Sequence, residues 1–119
     1  MDNIRPMKHG LSRRDLSTMH AIFSKYPEVR RVCLFGSRAK GNHARGSDVD
    51  LAIMNEGVSN AVAGRIKGEL EESSLPYTVD LLNYPDIEHN ELREHIKRVG
   101  IVFYRRSDEN RRKSVNTPQ

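Results

Sequence analysis

The sequence predicts an α/β domain, a small mixed β-sheet with helices packed on one face. Short runs with the two-residue alternation of strands fall at 32–35, 48–53, 77–83 and 101–104. Between them, apolar residues recur at three- and four-residue intervals, the repeat of an amphipathic helix. A chain of 119 residues supports one domain with a modest core.

The first helix is expected to begin at Ser12, whose hydroxyl can cap the turn holding Asp15, with Leu11 and Leu16 as a hydrophobic staple. Leu16, Met19, Phe23 and Tyr26 give its apolar stripe, and Pro27 closes it. Val32 to Phe35 reads as a buried strand that ends abruptly in a tight loop at Gly36-Ser37. In the next strand Val49, Leu51 and Ile53 alternate with Asp48, Asp50 and Ala52, so one face is apolar and the other carries acids. Ala52 leaves room beside the second carboxylate. Val62, Ile66 and Leu70 mark a second helix, weakened by Gly64 and Gly68. A strand at 77–83 stands between Pro76 and Pro85 and carries Asp80 in an otherwise apolar, β-branched run. A third helix is expected over 88–99, with Leu92, Ile96 and Val99 inward and Gly100 as its end. A last strand follows over 101–104. Helices cover the apolar face of the sheet in this reading, and the acids lie on the other.

The acids constrain function most. Asp48 and Asp50 at i and i+2 point the same way with Cα atoms about 6–7 Å apart. Like charges at that spacing repel unless a cation lies between them, and the separation suits two Mg²⁺ ions about 3.5–4 Å apart. Gly36 allows close approach of a ligand to the backbone, and Ser37 adds a hydroxyl to a concavity suited to phosphate oxygens. Arg38, Lys40 and Arg45 surround the loop with positive charge, and Ser47 can bond the loop or a phosphate. Asp80, buried without a partner, would be costly. On a neighbouring strand it would bring a third carboxylate to the metal site and could accept the proton of an attacking hydroxyl.

Gly36-Ser37, ten intervening residues, Asp48-Val49-Asp50, and a later strand with Asp80 together resemble the nucleotidyltransferase superfamily shared with DNA polymerase β. Within it the chain is similar to the minimal nucleotidyltransferases of the MNT type over 11–104. The resemblance implies the polymerase β-like fold and Mg²⁺-dependent transfer of a nucleoside monophosphate, AMP from ATP or the equivalent from another nucleoside triphosphate, to a hydroxyl. It assigns Asp48, Asp50 and Asp80 to catalysis and to two Mg²⁺, and Gly36 and Ser37 to the triphosphate; Arg38 and Ser47, beside that loop, are expected to contact the nucleotide as well. Lys40 stands where many relatives carry arginine, losing the planar fork of a guanidinium. The resemblance also implies an antitoxin that adenylylates a tyrosine of an all-helical HEPN toxin. No residues are left over for the acceptor-binding domain of larger relatives, so the open face is expected to find a second wall in a homodimer or a separate subunit.

Composition fits. No apolar run approaches twenty residues and no leader pattern opens the chain, so a soluble, cytoplasmic protein without membrane contact is expected. Cys33 is the single cysteine and, set in an apolar run, should be an inert thiol. His89, Glu91, Glu94 and His95 match no metal pattern and read as a solvated helix face. Of the net charge of +4, +3 falls in residues 105–119, read as a basic, disordered tail beyond a domain of 1–104. Lacking aromatic residues for base stacking, that tail does not make nucleic acid the expected partner. Two other readings remain, a partner-binding antitoxin without chemistry and a basic nucleic-acid-binding module.

Overall fold

Alternation along the strands sends Val32, Leu34, Val49, Leu51, Ile53 and Val79 to one side of the sheet, and all are buried there. The structure, a computed structural model, describes residues 9–42 and 46–106. Its elements are α1 (Arg13–Ser24), β1 (Arg31–Phe35), α2 (Gly36–Lys40), β2 (Val49–Ile53), α3 (Asn60–Glu72), β3 (Val79–Asn83), α4 (Asn90–Val99) and β4 (Ile101–Arg105), with a 3₁₀ turn at Tyr84–Asp86. The sheet order is β3-β2-β1-β4. β1 pairs antiparallel with β2 and β4, and β2 pairs parallel with β3, so the sheet is mixed.

Ser12 caps α1 as expected, its hydroxyl accepting from the Asp15 amide at 3.0 Å. Ser59 does the same for α3 through Val62, and His89 Nδ1 accepts from Leu92 at the start of α4. Met19, Ile22 and Phe23 of α1 and Ile66 and Leu70 of α3 meet the aliphatic face of the sheet in one buried cluster. A register shift opposite Val32 and Cys33 lets consecutive Phe103 and Tyr104 both reach that core.

α4 departs from the expected single-faced packing. Strands β3 and β4 are opposite edges, so the chain between them must cross a face, and α1 and α3 already occupy the aliphatic one. α4 therefore crosses the acid-bearing face, where Ile96 joins Phe35, Ala52 and Tyr84 in a second buried cluster flanked by Leu92 and Val99. The small side chain of Ala52 makes room for this helix.

The expected boundary after residue 104 falls within β4. Arg105 pairs with Arg31, and the Arg106 amide donates to the Arg30 carbonyl at 2.9 Å. The rest of the expected tail, 107–119, lies outside the described residues, as do His43 and Arg45. No described helix is long and apolar enough to cross a membrane.

Candidate functional site

The parallel register of β2 and β3 places Asp50 directly beside Asp80, on strands about 4.8 Å apart. Asp48 lies one residue before β2, on the same side as Asp50 by strand alternation. On the other flank of Asp50, the antiparallel register pairs it with Phe35, the residue before Gly36. Phe35, Asp50 and Asp80 thus form a row across one face, with the glycine turn at its β1 end.

Gly36 is fitted to Asp50. It has φ +79°, a conformation that L side chains rarely adopt. A Cβ on it would overlap Asp50 Oδ2 and stand 3.2 Å from Cγ. The expected loop here is a short helix: Gly36 opens α2, and Gly41 closes it in the left-handed conformation with its amide bonded to the Ser37 and Arg38 carbonyls.

Burial raises the Asp50 pKa above the ordinary aspartate range, the neighbouring Asp80 and Asp48 charges push it further, and His95 opposes them. His95 projects from α4 and sits edge-on to Phe35, ring centroids 6.3 Å apart at 82°. This residue, expected on a solvated face, belongs to the surroundings of the acids. A signal was present: three residues after Leu92, it lies only about 60° round the helix from the buried stripe.

Arg38 occupies a different place from its expected one at the phosphate cradle. Only 2% exposed, it donates from Nε and Nη2 to the Ser47 carbonyl at 3.1 and 2.9 Å, and from Nη1 to the His9 carbonyl at 2.6 Å. Its guanidinium lies 4.6 Å from the ring centre of Tyr77, whose hydroxyl donates to Asp15 Oδ2. Burial, then that bond, raises the Tyr77 pKa. Arg38 therefore fixes Ser47, the residue before Asp48, through its backbone. Ser37 is half-buried within α2, and Lys40 is exposed at its end. Burial also raises the Cys33 pKa, in keeping with an unreactive thiol.

Among the described residues no group of three or more His, Cys, Asp or Glu side chains is assembled as a metal site. Carboxylates without a counter-ion repel one another, and an all-oxygen donor set is the kind that suits magnesium. The repulsion that Asp80 and Asp48 exert on Asp50 is of the kind a divalent cation would relieve. A stability consequence follows in chelator. Because Asp50 has a raised pKa in the folded state, its ionisation opposes folding, and stability falls as pH rises from the ordinary aspartate range through the raised one. Asp50→Asn should remove that slope and raise the metal-free unfolding midpoint at neutral pH, as thermal denaturation would show.

Residues 17–109 match the family model described as polymerase beta, nucleotidyltransferase. A probable protein adenylyltransferase MntA of Haemophilus influenzae is 36% identical over 90 residues, covering 75% of this chain and 78% of that protein. A toxin-antitoxin crystal structure with AMP-PNP superposes with TM-score 0.64 at 20% identity, covering 87% of this chain and 83% of the other. The MntA-HepT toxin-antitoxin structure gives 0.60 at 17%, covering 89% and 83%. A complex of MNT antitoxin with tri-AMPylated HEPN toxin from Shewanella oneidensis gives 0.53 at 17%, covering 81% and 77%.

Proposed function

The chain belongs to the polymerase β nucleotidyltransferase family, and from that premise we propose that it transfers AMP from ATP to a tyrosine hydroxyl of a helical HEPN-type toxin, acting as its antitoxin. The observation that carries this reading is the in-register pair Asp50 and Asp80 beside a glycine whose missing side chain makes room for Asp50. Support for the acceptor comes from the relative named as a protein adenylyltransferase and from the neighbour whose HEPN toxin is AMPylated.

In this reaction the acceptor oxygen bonds to the α-phosphorus and the bond to the pyrophosphate oxygen breaks. Asp48, Asp50 and Asp80 would hold two Mg²⁺, which when bound would neutralise charge on the phosphate and leaving oxygens. The backbone at Gly36 and the Ser37 hydroxyl receive the triphosphate next to Asp50. Asp80, exposed on the edge strand β3, takes up the acceptor's proton from the open side of the site. Arg38 acts by holding the Ser47 carbonyl, and so the approach to Asp48, in a fixed place. Catalysis of this kind rests on positioning and electrostatic stabilisation. α4 supplies one wall of the site, and the toxin itself would supply the other.

The test is to incubate the purified chain, the helical product of the neighbouring reading frame and MgATP, then analyse the partner by peptide mass spectrometry. The expected result is AMP on a partner tyrosine, with loss of the toxin's ribonuclease activity. Neutralisation of the toxin without any added AMP would instead establish a binding antitoxin without chemistry.

A further inference from the structure

Asp48 lies one residue before β2, outside the ladder that fixes Asp50 and Asp80, and it is exposed. The other two carboxylates repel it, so without a cation an untethered Asp48 would swing away from them. Its backbone, however, is held on both sides. Before it, the Ser47 carbonyl accepts two bonds from Arg38, at 3.1 and 2.9 Å. After it, the Val49 amide donates to the Thr78 carbonyl at 2.9 Å.

Both restraints meet at Tyr77. Its ring centre lies 4.6 Å from the Arg38 guanidinium, and the next residue in the chain is Thr78. Tyr77 is fixed in turn: half-buried, it packs against the aliphatic core, and its hydroxyl donates to Asp15 Oδ2 at 2.8 Å. Asp15 stands in the first turn of α1, where its own amide is taken by the Ser12 cap. Tyrosine suits all three contacts, since its ring face attracts a guanidinium, its ring edge packs, and its hydroxyl reaches an acceptor.

Resting on the nucleotidyl-transfer reading, we propose that Tyr77 is a positioning residue for the metal site. Anchored to the first turn of α1, it braces Arg38 and the Thr78 carbonyl, and through them holds Asp48 where it can share a divalent cation with Asp50 and Asp80. Tyr77 touches neither substrate nor metal in this assignment. It acts by fixing a ligand before the cation arrives, so that the ordering cost is not paid on binding.

The experiment uses Mn²⁺ as the probe, because its electron paramagnetic resonance signal reports the free ion and so measures binding without turnover. The second readout is the Mg²⁺ concentration that gives half-maximal AMP transfer to the helical partner at saturating ATP. Tyr77→Leu should weaken Mn²⁺ binding and raise the half-maximal Mg²⁺ by about tenfold or more, the scale for losing a group that orients a metal ligand. Excess Mg²⁺ should restore most of kcat, since the metal then draws Asp48 in; a loss of folded protein would not be restored in this way. Tyr77→Phe keeps the ring beside Arg38 without the bond to Asp15 and should show a smaller shift, matched by Asp15→Ala. Asp15→Asn, whose amide oxygen still accepts, should return toward wild type. Val62→Ala on α3 trims the core outside the brace and should leave Mn²⁺ affinity unchanged. A Mn²⁺ affinity or a Mg²⁺ dependence unchanged in the folded Tyr77 and Asp15 variants would overturn the assignment, as would an equal shift in Val62→Ala. If the wild type neither binds Mn²⁺ nor transfers any nucleotide, the nucleotidyl-transfer reading fails as well. If it does both and the Tyr77 variants behave like it, only the brace is wrong.

Discussion

Replacing Gly36 by alanine is expected to slow nucleotidyl transfer by roughly a hundredfold or more, the scale of a misplacement of about 1 Å at a reacting centre. Two effects act together. The backbone at φ +79° strains any L side chain, and the new Cβ would overlap Asp50 Oδ2, forcing that carboxylate out of its seat beside Asp80. The strain should also cost about 1–3 kcal/mol of stability, measurable by denaturant unfolding. Single-turnover kinetics on the folded variant separates the two, because loss of fold reduces the active fraction whereas displacement of Asp50 reduces the rate of every molecule. A variant with wild-type turnover would show that Asp50 tolerates another position and is not held by the glycine turn.

The second large effect concerns Arg38. Arg38→Met is expected to lower stability by about 2–4 kcal/mol, because its buried guanidinium makes charge-assisted bonds to the Ser47 and His9 carbonyls that a thioether cannot make. Arg38→Lys should restore little of the loss, since one ammonium cannot reproduce the two-pronged contact with Ser47 while resting on Tyr77. Denaturant unfolding of both variants checks this. A residue that bound phosphate directly would behave in the opposite way, with a raised KM for ATP and undiminished stability.

Strand alternation made the three acids and their faces legible. The aliphatic partners of Asp50 and Asp80 left only one side of each strand for a charge, and the parallel register did the rest. What escaped did so for local reasons. α2 is five residues long, too short to show any helical repeat, so Gly36-Ser37 read as a loop. An arginine following a glycine turn looks like any surface cation, and nothing in sequence tells that Arg38 turns inward onto carbonyls of Ser47 and His9. The crossing of α4 over the acid face depends on β3 and β4 being opposite edges, which is a matter of topology. His95 followed that helix into the site. Arg105 read as the start of a charged tail because composition changes there, although its backbone still pairs with Arg31.

The proposed role of Asp48, Asp50 and Asp80 beside Gly36 is to direct attack on the α-phosphorus of a nucleoside triphosphate. It is tested most directly by supplying ATP labelled at either the α- or the γ-phosphate to the chain and its helical partner with Mg²⁺. The expected result is α-label on protein, γ-label released in pyrophosphate, and no transfer by Asp50→Asn. Transfer of γ-label, or α-label transfer that survives Asp50→Asn, would contradict it.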